Sequence, residues 1–254
     1  MTSDGSLKGR VAMVTGGSRG IGRAIALRFA EAGADLFINF FQSREEAQRT
    51  AEEAAERGVS VRLLPADLKE PKQIQAMFEE VRRLAGSLDI LVHNAASGIL
   101  QSTLELTSRQ WDWVMNTNAR PLFLCAREAA SIMRSGGRII SLSSLGSARV
   151  IPLYGAIGIS KAALESLTRY LAVELAPRGI TVNALSAGAV ETEVWDLVPD
   201  GRQVLERVRE RTPAGRLLTA EEVAEIVFFL ASPQAQMIQG QVIVVDGGYS
   251  LLAS

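Results

Sequence analysis

The sequence predicts an α/β fold: one doubly wound parallel sheet of about seven strands with helices on both faces. Three observations predict it. Short apolar runs alternate with longer helical patterns along the whole length. The apolar runs are nearly continuous in Val, Ile and Leu, as in strands covered on both faces. No linker, repeat or low-complexity segment interrupts the 254 residues, so one domain, 1–254, is the simplest organisation. In order, VAMVTG (11–16), ADLFINF (34–40), VSVRLL (59–64), LDILVHN (88–94), GRIISLS (137–143), GITVNALS (179–186) and QVIVVDGG (241–248) read as strands. IGRAIALRFAEAG (21–33) and REEAQRTAEEAAERG (44–58) read as helices closed by Gly33 and Gly58. Right-handed crossovers make the βαβ units a Rossmann-type arrangement. The stretch at about 190–217 is the irregular one.

Composition narrows the function classes. The chain is 47% hydrophobic and 22% charged with a formal net charge of −1, which gives no electrostatic reason to expect nucleic acid. Cys125 is the only cysteine, so an internal disulfide is excluded and a reducing compartment fits. MTSDGSLKGR lacks the apolar run of a signal peptide, and no apolar stretch approaches the ~18 residues of a membrane span. A cytoplasmic protein is expected. One histidine and one cysteine leave no plausible metal constellation, and no nucleophile elbow supports a hydrolytic triad.

TGGSRGIG (15–22) follows the first strand and opens the first helix. Residues without a Cβ allow a tight turn there, and backbone N–H groups at a helix start receive phosphate. Gly16, Gly20 and Gly22 supply that shape in the first βαβ unit, which predicts dinucleotide binding. The Gly-x3-Gly-x-Gly spacing resembles the short-chain dehydrogenase/reductase superfamily, and the likeness runs from about residue 10 to 248. Asp67 in ADL, HNAA (93–96), Asn118 in NTNARPLF, the serines after the fifth strand and GITVNALSAG (179–188) all fall where that family has functional segments. The resemblance implies cofactor contacts from Gly16, Ser18, Arg19, Gly20, Ile21, Gly22, Asp67, Leu68, Asn94, Ala95, Tyr154, Lys161, Gly188, Val190 and Thr192. It also implies that Asn118 helps hold the active-site water and lysine. The second strand ends NFFQSR, with no acid to repel a 2′-phosphate, while Arg19 and Arg44 offer guanidinium forks for one. NADPH is therefore expected over NADH.

YGAIGISK (154–161) places a tyrosine seven residues before a lysine, where the family normally has four, and Ile157 fills the four-before position. In carbonyl reduction, hydride and proton reach adjacent atoms. In reduction of a 2-enoyl thioester, hydride goes to the β-carbon and negative charge appears on the thioester oxygen three bonds away, so the acid belongs elsewhere. Three helical positions amount to a displacement of about 4.5 Å and a turn of about 60°. Residues seven apart still share a helix face within about 20°. With ISLSSLGSARVIPLYGAIGISKAALESLTRYLAVEL (140–175), NAASG (94–98), WDWVMNTNA (111–119), RTPAGR (211–216) and GQVIVVDGG (240–248), the chain resembles the NADPH-dependent enoyl-acyl carrier protein reductases of type III. By that resemblance Tyr154 donates to the substrate carbonyl or enolate. Lys161 holds the nicotinamide ribose and depresses the phenol's pKa, and Ser144 supports them, with Ser141 and Ser143 as alternatives. A carbonyl oxidoreductase with a displaced tyrosine is one rival reading; a non-catalytic NADPH-binding protein is another.

Further expectations follow. His93 stands where the family has an asparagine and reads as structural; Ala187 replaces a family proline. Val194, Trp195, Leu197 and Val198 suit an apolar flap at about 190–217. Five arginines against two glutamates over 202–216 suggest a basic rim for an acidic acyl carrier protein. Trp111, Trp113 and the C-terminal GGYSLLAS are candidates for subunit contacts, and the family resemblance implies a homotetramer.

Overall fold

The computed structural model describes residues 5–198 and 200–252. Seven parallel strands form one sheet in the order β3-β2-β1-β4-β5-β6-β7. They are β1 (Val11–Thr15), β2 (Asp35–Phe40), β3 (Val61–Pro65), β4 (Leu88–His93), β5 (Met133–Ser144), β6 (Thr181–Ala187) and β7 (Val242–Val245). The helices between them are α1 (Gly20–Glu31), α2 (Arg44–Ala55), α3 (Pro71–Ala85), α4 (Ser108–Ile132), α5 (Gly155–Leu175), α6 (Gly201–Arg211) and α7 (Ala220–Ala231).

The unbroken apolar strands are explained by which way alternate residues point. Ala12, Val14, Leu36, Ile38, Ile90, Val92, Ile140 and Leu142 pack on one face with α1 and α7. Met13, Phe37, Leu91 and Ile139 pack on the other with α3, α4 and α5. Helix boundaries follow local chemistry. Pro71 opens α3 and left-handed Gly86 closes it. Capping boxes start α4 (Thr107 with Gln110) and α7 (Thr219 with Glu222).

The strand order reverses between β1 and β4, so a crevice opens above their C-terminal ends, where open α/β sheets bind ligands. Thr15 and His93 are register partners there, and His93 is in turn paired with Ser141 of β5. No described helix is long and apolar enough to cross a membrane. No group of three or more His, Cys, Asp or Glu side chains suited to a metal exists among the described residues.

Candidate active site

The turn from β1 to α1 is built from backbone. Gly16 and Gly20 have positive φ (62° and 53°). A Cβ on Gly22 would stand 2.2 Å from the Gly16 carbonyl oxygen and 2.5 Å from Asn94 Nδ2. Asn94 ties β4 to this loop by donating to the Thr15 and Gly16 carbonyls at 3.1 and 3.0 Å, and Ala95 lies against Gly16. Ser18 is buried, its carbonyl accepting from Thr50 Oγ1 at 2.9 Å. Ile21, Leu68 and Val190 direct their side chains into the apolar layers. Thr192 reaches the loop, its methyl 3.6 Å from a Cβ built on Gly20. Gly188 lies against Asp246. Asp67 accepts from the Lys69 N–H at 3.0 Å and pairs with Lys69 Nζ at 3.1 Å. At the end of β2, Asn39 is buried on the Leu64 and Ala66 carbonyls, while Arg19 and Arg44 are exposed with no ion pair among the described residues. This backbone-lined cradle, with free guanidinium groups and no acid at the end of β2, fits a dinucleotide bearing a 2′-phosphate.

Tyr154 precedes the helix, as the N-cap of α5 with φ −96° and ψ 10°, and the Gly158 N–H closes the first turn on its carbonyl at 2.7 Å. The residue before it, Leu153, is held left-handed (φ 63°), its carbonyl accepting from Gln101 N–H at 2.8 Å. Burial raises the Tyr154 phenol above its ordinary range, and a hydrogen bond with Ser144 pulls it back. The net rise is opposite to the expected depression: burial outweighs Ser144, and Lys161 is not among the groups that lower the phenol. Among the three serines, Ser144 is the one beside the phenol; Ser141 pairs with Thr168 and Ser143 with Glu165. Lys161 is buried, donates to the Leu142 carbonyl at 2.7 Å, and is pushed down to about 8 by burial, against a raising effect of Glu165. Tyr154 and Lys161 thus meet residues 144 and 142 of the same strand.

Ile157, four before Lys161, is sealed off. It packs with Val114, Ala156, Ile99, Leu106, Trp113 and Tyr154, and a Cβ on Gly98 would stand 2.1 Å from its Cδ1. Trp113 therefore belongs to the wall of the site. Asn118 is fully buried; its Oδ1 accepts from Ser97 N–H and its Nδ2 donates to Ser160 Oγ, both at 2.9 Å.

His93 is structural, as expected, and its tautomer follows from its partners. The Asn118 main-chain oxygen, 3.1 Å from Nε2, can only accept, so Nε2 carries the proton. Nδ1 faces Thr15 Oγ1 at 3.5 Å, and Thr15 Oγ1 accepts from Asn94 and Ala95 N–H. Burial, chiefly, and the nearby Lys161 charge lower His93 to about 4. A folded pKa below the unfolded one means that stability present above about pH 6.5 drains away as pH falls through 4. The full effect is on the order of 3 kcal/mol. Urea midpoints are expected to drop between pH 7 and 4.5, with His93→Asn showing a flatter decline; parallel curves would assign the acid sensitivity to other groups.

Of the four apolar residues named for the flap, the side chains of two are described. Trp195 is half-buried and donates from Nε1 to the Val190 carbonyl at 2.9 Å; Val198 is also half-buried, and the side chains of Val194 and Leu197 lie outside the described residues. The exposed apolar residues stand instead on the loops flanking Tyr154: Leu100 and Leu104 on one, Val150, Ile151 and Leu153 on the other. No periodicity marks such loop residues in a sequence. The basic rim is largely neutralised within the protein. Arg202 pairs with Asp196 and Glu191, Arg209 with Glu206 and Arg216 with Glu222, and Arg211 lies over the Tyr249 ring.

A seven-stranded sheet in this order, a Gly-x3-Gly-x-Gly cradle and a Tyr–Ser–Lys cluster at the end of β5 define an oxidoreductase site, and comparison with known proteins agrees. Residues 16–250 match the family described as Enoyl-(Acyl carrier protein) reductase, and the chain belongs to the short-chain dehydrogenase/reductase superfamily. A 1-cyclohexenylcarbonyl-CoA reductase of Streptomyces collinus is 39% identical over 96% of this chain and 88% of that protein. A hydroxynaphthalene reductase-like protein of Metarhizium brunneum is 35% identical over 96% of each. A short chain dehydrogenase from Burkholderia cenocepacia solved in complex with NADP superposes with a TM-score of 0.91 at 36% identity, over 96% of this chain and 99% of that one.

Proposed function

We propose that the protein uses NADPH to reduce the 2,3 double bond of 2-enoyl thioesters presented by an acyl carrier protein. The placement of the acid carries this reading: Tyr154 stands beside Ser144 at the start of α5, while the position four before Lys161 is an aliphatic side chain packed on Gly98. Bound NADPH supplies the hydride for the β-carbon. Tyr154, raised by burial, stays protonated at neutral pH and offers its O–H to the thioester oxygen, where charge collects. Ser144 orients that phenol. Lys161, anchored on the Leu142 carbonyl, directs its remaining donors to the nicotinamide ribose. Gly16, Ser18, Gly20, Gly22 and Thr192 line the pyrophosphate side, with Asp67, Asn94 and Ala95 toward the adenosine; Arg19 and Arg44 take the 2′-phosphate. Asn118 holds the loop after β4 in place through Ser97.

The apolar loops at 100–104 and 150–153 suit an acyl chain, and the Streptomyces relative, named for an enoyl-type thioester, points the same way. The segment at about 190–217 acts as the flap, and exposed Phe123, Tyr170 and Val173 on α4 and α5, with Leu251 and Leu252 beyond β7, suit assembly into a homotetramer. The hydroxynaphthalene reductase-like relatives favour carbonyl reduction as the second reading. NADPH oxidation with a 2-enoyl and a 3-ketoacyl thioester offered separately decides between them. Preferred turnover of the enoyl substrate is expected; turnover of the keto substrate alone would replace this reading with the second.

A further inference from the structure

Glu165 lies one turn beyond Lys161 on α5, where a carboxylate ordinarily marks a solvated helix face. Here it is half-buried and gathers two hydroxyl donors, Ser143 Oγ from the end of β5 and Ser147 Oγ from the turn that follows, both on Oε1. That turn carries Gly146, which lies so close to Tyr154 that a Cβ on it would stand 2.5 Å from the ring. The Gly146 N–H also donates to Ser144 Oγ at 3.2 Å, and Ser144 is the hydroxyl that lowers the phenol's pKa against burial. Glu165 therefore clamps the surface on which Tyr154 rests. One helical turn from Lys161, its charge also raises that residue's pKa against the lowering by burial. Of the titratable groups described around Lys161, Glu165 of α5 raises its pKa, and the Lys161 charge in turn lowers that of His93 of β4. His93 is neutral above about pH 4. β5 contributes only the Leu142 carbonyl and serine hydroxyls there.

We propose that Glu165 is a positioning residue of the active site: through Ser143 and Ser147 it locks the turn that seats Tyr154, and through its charge it keeps Lys161 an ammonium. This rests on Tyr154 and Lys161 being the working pair, as proposed above. Glu165→Gln retains an acceptor for both serines and removes the charge; Glu165→Ala removes both. Loss of the negative neighbour lowers the Lys161 pKa, so ammonium is lost at lower pH. The readouts are kcat/KM for NADPH, which reports the free enzyme, and NADPH affinity measured without substrate, both from pH 6.5 to 9. For Glu165→Gln the deficit relative to wild type is expected to grow as pH rises through 8 and to reach several-fold by pH 9. Glu165→Ala is expected to show the same shift and also a lower kcat at every pH. A Glu165→Gln profile parallel to wild type would overturn the charge role, and an unaltered kcat in Glu165→Ala would overturn the clamp. If no enoyl thioester turns over, the functional reading fails separately, because NADPH affinity against pH still decides whether Glu165 governs Lys161.

Discussion

Replacing Tyr154 with Phe is expected to lower kcat for 2-enoyl thioester reduction by about 10²–10³-fold, the usual cost of one oxyanion donor, with NADPH affinity nearly unchanged. The ring keeps its packing against Gly146 and Ile157, so only the O–H is removed. The measurement is turnover at saturating NADPH, paired with cofactor binding. Turnover equal to wild type would remove Tyr154 from the chemistry and with it the argument from spacing. An equal loss in cofactor affinity would make the phenol a binding group instead.

Replacing Gly22 with Ala is expected to abolish detectable NADPH binding. The new methyl would meet the Gly16 carbonyl, which is backbone and cannot rotate away, as well as the Asn94 amide that ties β4 to the loop. Overpacking of this kind costs up to ~3 kcal/mol, roughly 6–12 °C in Tm for a domain of this size. Gly86→Ala is the control. Unlike Gly22 it has positive φ (73°), but nothing lies within 4 Å, so the substitution costs only the left-handed conformation, about 1–2 kcal/mol, and keeps NADPH binding intact. Retained NADPH affinity in Gly22→Ala would mean that the cradle adapts, and that its backbone geometry does not set affinity.

Much of the fold was legible because sheet burial writes itself into composition. Strands covered on both faces must be apolar throughout, and β1, β2 and β4 read that way. β5 was less so: the strand begins at Met133, but its first residues, Arg134 to Gly137, carry no apolar run. The candidate site was legible where the proposed function needs a residue type that packing does not, as at Gly22, Tyr154 and Lys161. It was opaque where the environment decides the role. Nothing local distinguishes Glu165 from a surface glutamate. The arginines of 202–216 read as a free basic rim because their carboxylate partners, such as Glu222 on α7, come from outside that stretch or from the helix itself. The phenol's expected acidity failed for a related reason: spacing shows which charge is near but not how much water has been excluded.

The contact between Gly98 and Ile157 bears on how such enzymes diverge. A tyrosine returned to position 157 would have to fit where the loop backbone at Gly98 already touches an isoleucine. Substituting Tyr for Ile157 alone is therefore expected to clash with the loop after β4, which would have to move to admit the larger ring. Directed evolution toward carbonyl substrates from this scaffold should begin at residues 98–100, with position 157 altered only once that loop has moved.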